Sequence, residues 1–182
     1  QMVRHAEEPE ARIALHRRIA DIMVERFSNT AEATRHYEAI PELDPEDRDA
    51  IKVLKEIYEQ RRDWERYVEI SEQELVLLED PEQIQAGIRD LARTASQRIR
   101  KAGTPMLLWE RVLDSHPSDP EALEQLELLC ERERDFPRLA EVLVQRVEIL
   151  EKPDEKMAAL EKMATIYVSR LELAHEATDI WG

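Results

Sequence analysis

The sequence predicts an all-α fold, a right-handed α-solenoid of stacked antiparallel helix pairs, and three observations predict it. The first is composition. Among 182 residues there are only three glycines and 5% aromatics, while 42% are apolar and 37% charged. Sheets use glycine in turns and aromatics on strand faces, whereas abundant Glu, Leu, Arg and Ala favour helix. The second is a repeat with a period of 36, in which Pro9/Ala14, Pro45/Ala50, Pro81/Ala86, Pro117/Ala122 and Pro153/Ala158 share one spacing. The third is a longer register of 72 that runs without a gap. Pro9/Pro81/Pro153, Ala20/Ala92/Ala164 and Arg26/Arg98/Arg170 are identical, and Tyr37/Trp109/Trp181 keep an aromatic. Periods of this length mark stacked repeats, in which each unit buries its apolar face against the next.

The units fall near 9–44, 45–80, 81–116, 117–152 and 153–182, the last incomplete, within a single helical repeat domain spanning 1–182. Each opens with a helix whose apolar residues recur at i, i+3 and i+7. These are Ile51/Leu54/Tyr58, Ile88/Leu91/Ala95, Leu123/Leu126/Cys130 and Leu160/Met163/Tyr167, one face of a helix each. His16/Ile19/Met23 departs at its leading position. The i+3 residues are separated by 35, 37, 35 and 37, so alternate units differ by one residue just after the alanine. A second helix completes each pair. In the odd units it carries Ala33, Tyr37 and Ile40, then Trp109 and Val112, then Ala177 and Trp181; in the even units it opens at Asp63-Trp64 and Asp135-Phe136. Proline suits a first helical turn, and the carboxylates of Asp44-Pro45-Glu46 and Asp80-Pro81-Glu82 suit the positive end of the helix dipole. Leu54, Leu91, Leu126 and Met163 are predicted to be equivalent buried positions.

The stretch Glu38–Glu69, "EAIPELDPEDRDAIKVLKEIYEQRRDWERYVE", resembles the tetratricopeptide repeat family in its bacterial-type form, and Leu107–Leu143 repeats the resemblance. It covers nearly the whole chain, about 4.5 units of the family's length. The resemblance implies a superhelix whose first helices line a concave groove for a peptide or a partner domain. It also implies a small residue where the helices of a pair touch. Ala20, Ala92 and Ala164 comply, but Lys55 and Glu127 stand there in the even units, which predicts looser packing or a shifted angle. The family's carboxylate-clamp subtype uses groove asparagines with lysines, and the only asparagine here is Asn29.

Charge and motif exclude several functions. A net charge of −15 opposes nucleic acid and anionic membrane. No apolar run exceeds four residues, against roughly 20 for a membrane span. The N-terminus has no apolar segment of signal-peptide type, which favours a cytoplasmic setting. One cysteine, Cys130, excludes an internal disulfide and reads as a small buried residue. The five histidines have no metal-binding spacing, and His116 reads as a turn residue before Pro117. No glycine-rich phosphate loop occurs, so no catalytic residue, metal or cofactor is expected.

The expected function is therefore a non-catalytic protein–protein interaction module, a scaffold or adaptor that binds a peptide or partner domain in its concave groove. The alternatives are a structural segment that self-associates through open repeat ends, or a regulatory helical domain of a larger protein. The chain ends at Trp181-Gly182 inside a second helix, which predicts a fragment of a longer solenoid. Two charged stretches stand out. Trp64–Asp80 carries six acidic residues and one arginine, as a solvated outer helix would. Ile88–Lys101 carries five basic residues and one aspartate, and its Arg89 and Arg93, four apart on one face, lie on the side that the family resemblance implies faces the groove. With Arg17 and Lys52 they would form a positive strip for an acidic partner. The competing expectation is that neighbouring glutamates, Glu56 and Glu124 especially, neutralise them in ion pairs between adjacent helices.

Overall fold

The computed structural model describes residues 9–27 and 29–169. Among them are nine α-helices and no strand: α1 (Pro9–Phe27), α2 (Thr30–Leu43), α3 (Arg48–Arg61), α4 (Trp64–Val76), α5 (Pro81–Arg98), α6 (Gly103–Ser115), α7 (Pro120–Glu133), α8 (Phe136–Ile149) and α9 (Pro153–Ser169). The chain forms two compact units, divided between Ile84 and Gln85 in the first turn of α5. In the first, α1 packs on α2, α2 on α3 and α3 on α4; in the second, α6 packs on α7, α7 on α8 and α8 on α9. Turns this short force consecutive helices to run antiparallel, so each unit is a stack of helix pairs. Ala177, Trp181 and Arg170, on which the last repeat and the chain-end expectation rest, lie outside the described residues.

The register of 72 is a register of burial. Leu54, Leu91, Leu126 and Met163 are 1%, 5%, 1% and 6% exposed. In the first unit Ile51, Leu54, Tyr58 and Ile70 share a core, and in the second Cys130, Leu139, Leu143, Met163 and Ile166 do. Replacing such a leucine with alanine costs about 2–5 kcal/mol.

The shorter period of 36 is broken by a two-way alternation. In the odd units the repeating proline is the first helical residue, at Pro9, Pro81 and Pro153. In the even units Pro45 and Pro117 lie in the preceding turn, and the helix starts only after Asp47 and Asp119. The carboxylates expected at Asp44-Pro45-Glu46 are thus a turn ahead of α3, and Asp47 is the cap, its side chain accepting from the Ala50 N–H. The repeating alanine alternates too. Ala50 and Ala122 are fully buried, whereas Ala14, Ala86 and Ala158 are exposed, and it is Ala159 that packs inward. One extra residue rotates the odd helices by about 100°, which turns the repeating alanine out of the core.

The turns of the even pairs are tight for an identifiable reason. Arg62 and Arg134 adopt the left-handed conformation at φ 57° and 59°. The following amides, of Asp63 and Asp135, then donate back to the Tyr58 and Cys130 carbonyls at 2.9 Å. This closes the helix end, and the same aspartates cap α4 and α8 by accepting from the Arg66 and Arg138 amides. One residue ends one helix and its neighbour starts the next.

Candidate functional site

Arg17, Arg89 and Arg93 do not form a free positive strip. Arg17, on α1, binds both carboxylate oxygens of Asp47 and lies 3.8 Å from Asp49. Arg89, on α5, donates to Asp119 Oδ2 at 2.6 Å and to Glu121 Oε2 at 3.1 Å. These are the same positions moved by 72. Arg93 grips Glu121 with two parallel bonds of 2.6 and 2.7 Å, so Glu121 is shared by both arginines. Each pair ties one first helix to the opening turn of the next.

Carboxylates pair with the arginines, a neighbouring glutamate (Glu121) among them, but the two glutamates singled out by the competing expectation are not the partners. Glu56 and Glu124 stand exposed on α3 and α7, as does Lys52. The partners are Asp47, Asp49, Asp119 and Glu121. Side chains on a helix lean toward its N-terminus, so an arginine two or three turns into α5 meets the start of α7 and not its second turn. Burial alone would raise the Asp119 carboxyl. Hydrogen bonds from Arg89 and the Ala122 amide outweigh it and hold that carboxyl below its ordinary range. Glu121 is held low chiefly by the hydrogen bond from Arg93.

Lys55 and Glu127, where the family resemblance implies a small residue, are each bonded across their pair. Lys55 binds Glu74 of α4. Glu127, only 6% exposed, binds Arg146 of α8 and Lys162 of α9. Position 74 moved by 72 is 146, so the same tie exists in both units with its charges exchanged. The space that loose packing would have left is filled by an ion pair.

At one of the places where the duplication fails, an opening lies alongside. In the second unit Trp109 is fully buried, with its Nε1 donating to Ser96 Oγ at 2.8 Å. The equivalent Tyr37 is smaller, half-buried, and donates through its hydroxyl to Asp21 at 3.3 Å. Beside it lies a cavity of about 320 Å³ between α1, α2 and α3. Val24, Val53, Ile57 and Tyr37 supply its apolar wall, with Asp21 and Glu25 among its polar residues. Val24 is 46% exposed.

The remaining candidates have structural surroundings. Cys130 is fully buried, and burial pushes its thiol up to about 11, away from reactivity. Among the described residues no three His, Cys, Asp or Glu side chains are grouped to hold a metal ion, and no helix is long and apolar enough to cross a membrane. His16 and His36 meet across α1 and α2, with their Nδ1 atoms 3.0 Å apart. Nothing in the sequence spacing points to that pair, because its members belong to different helices.

No model of a protein family matches the chain, and no curated protein matches it. Several solved structures resemble it. MamA from residue 41 to its end, of Desulfovibrio magneticus RS-1, is 16% identical, with 93% of this chain and 90% of that one covered and a TM-score of 0.43. A further crystal structure of MamA is 15% identical, with 89% and 90% covered and a TM-score of 0.45. YrrB, described as a TPR protein with an unusual peptide-binding site, is 15% identical, with 91% and 84% covered and a TM-score of 0.44.

Proposed function

We propose that the chain is a non-catalytic protein-interaction module that takes a peptide or partner segment in the groove between its first helices. The observation that supports this most is the opening beside Tyr37. It is walled by apolar side chains from α1 and α3, lies within a pair-stacked framework cross-tied by Arg17–Asp47, and keeps Val24 in solvent. An apolar wall with acidic Asp21 and Glu25 beside it offers an extended segment both burial and polar anchoring.

The test is selection of binders from a random peptide display library against the whole chain, followed by affinity measurement on variants. Val24→Glu places a charge on the apolar wall at an exposed site and should weaken the selected peptides by about tenfold, the effect of losing one apolar anchor. Leu128→Glu, at an exposed position on α7 in the other unit, should leave affinity unchanged. A library that yields no binder, or binders indifferent to Val24→Glu, contradicts the proposal.

A further inference from the structure

Outside the first-helix groove, each unit carries a second cavity, and the longer register maps one of these cavities onto the other. In the first unit it measures about 520 Å³ and lies between α2, α3 and α4. In the second it measures about 530 Å³ and lies between α6, α7 and α8. Leu54 and Ile70 form the floor of one, Leu126 and Val142 that of the other, and Gln73 corresponds to Gln145. The rim pairs Glu38 with Glu110, Glu42 with Asp114, Glu69 with Glu141, and Arg66 with Arg138.

The charge of each rim is decided by what its arginine does. Arg66 lies 3.3 Å from Glu38 and Arg138 binds Glu110, so each cation is already neutralised inside the rim. Tyr58 adds a hydroxyl bond to Glu38 at 2.8 Å, and burial with that carboxylate pushes its phenol up to about 12. Glu42 and Glu69 remain in the first cavity, and Asp114, Glu141 and Glu148 in the second. Among the described residues these five form no ion pair. Each cavity is therefore an open hollow with aliphatic residues at its base and, after its one arginine is counted, an excess of two or three carboxylates at its lip.

We propose that the two hollows are equivalent receptors for a cationic side chain, an arginine or lysine of a basic partner segment. Such a side chain is apolar along its stem and charged at its tip, and it matches a hollow whose base is aliphatic and whose rim is acidic. An anionic ligand would meet the excess carboxylates, and a purely apolar one would desolvate them without compensation. Because the positions recur with the longer register, the duplication builds two copies of one recognition element. This surface is formed largely by second helices and is separate from the groove beside Tyr37.

The test is a methyl and amide NMR titration of the whole chain at physiological ionic strength. The probe is N-acetyl-L-argininamide, and the control is the uncharged, nearly isosteric N-acetyl-L-citrullinamide. The cationic probe should shift the Leu54, Ile70 and Gln73 signals together with those of Leu126, Val142 and Gln145, saturating along one curve in each unit, and the citrulline probe should not. The paired change Glu42→Gln with Glu69→Gln should weaken binding in the first hollow about fivefold, the scale of exposed charge pairs. It should leave the second hollow unchanged, and unaltered amide shifts away from the substitutions in the first unit show that this unit remains folded. Shifts scattered over the whole acidic surface, equal shifts with both probes, or no loss in the first hollow of the variant would each overturn the proposal.

Discussion

Asp119 serves two partners with its two oxygens. Oδ1 accepts the Ala122 amide at 2.8 Å, which caps α7, while Oδ2 receives Arg89 from α5. A cap alone contributes about 0.5–2 kcal/mol; coupling it to a cation from another helix makes a local signal into a tertiary one. Asp47 repeats the arrangement with Ala50 and Arg17. The histidine contact behaves differently, because it opposes protonation. His16 is held below its ordinary 6.5 first by burial, then by His36 and Arg12, with Glu42 acting the other way. As pH falls, a depressed histidine takes up its proton later in the folded state than in the unfolded one. Stability must then fall as pH drops below 6.5, and the loss is complete once pH passes below the folded value. His16→Gln should flatten that part of the stability profile between about pH 7 and pH 5. Urea titrations across that range check it, and an unchanged slope in the variant would contradict the assigned role.

At the scale of elements, the helix pairs α3–α4 and α7–α8 are alike in length, caps and turn and opposite in the polarity of their internal tie. If α3 met α8 in place of α4, Lys55 would face Arg146. If α7 met α4, Glu127 would face Glu74. The exchange gives two near-identical pairs a means of rejecting each other's partners. The ties differ in burial, and that sets the size of the effects. Lys55 and Glu74 are 25% and 43% exposed in their side chains, so Lys55→Glu should cost about 1 kcal/mol. Glu127 is 8% exposed in its side chain, between Arg146 and Lys162, and Glu127→Lys should cost about 3–5 kcal/mol. Chemical denaturation of both variants compares them directly; equal losses would mean that burial does not govern these ties. The existence of these positions is legible in the sequence, since Lys55 and Glu127 break the pattern of small residues. Their partners are not. Glu74 and Arg146 belong to the following helix, and nothing in a periodicity of 36 says which way a long side chain reaches.

Over the whole molecule, most of the fold is readable because one register carries both burial and capping. Leu54 and Leu126, Asp63 and Asp135, and Glu38 and Glu110 keep the same chemistry from one unit to the other. The candidate sites are less legible. Their character depends on which charges are already paired inside the molecule: Arg89 and Arg93 look available in the sequence and are occupied by Asp119 and Glu121, whereas Glu69 looks like part of a solvated face and lines a hollow. Likewise the cavity beside Tyr37 lies where the other unit has the larger ring of Trp109, a change that leaves the aromatic pattern intact. One architecture, cross-tied by aspartate caps, is thus built twice. Native-state amide hydrogen exchange on the whole chain tests it most directly. Amides in the opening turn of a helix usually exchange freely, since they have no partner within the helix. The account predicts that those of Ala50 and Ala122 are both protected, and that protection across α3 and α4 recurs across α7 and α8 to within about 1 kcal/mol. Free exchange at either alanine, or a protection profile of α3 and α4 that does not return in α7 and α8, would contradict it.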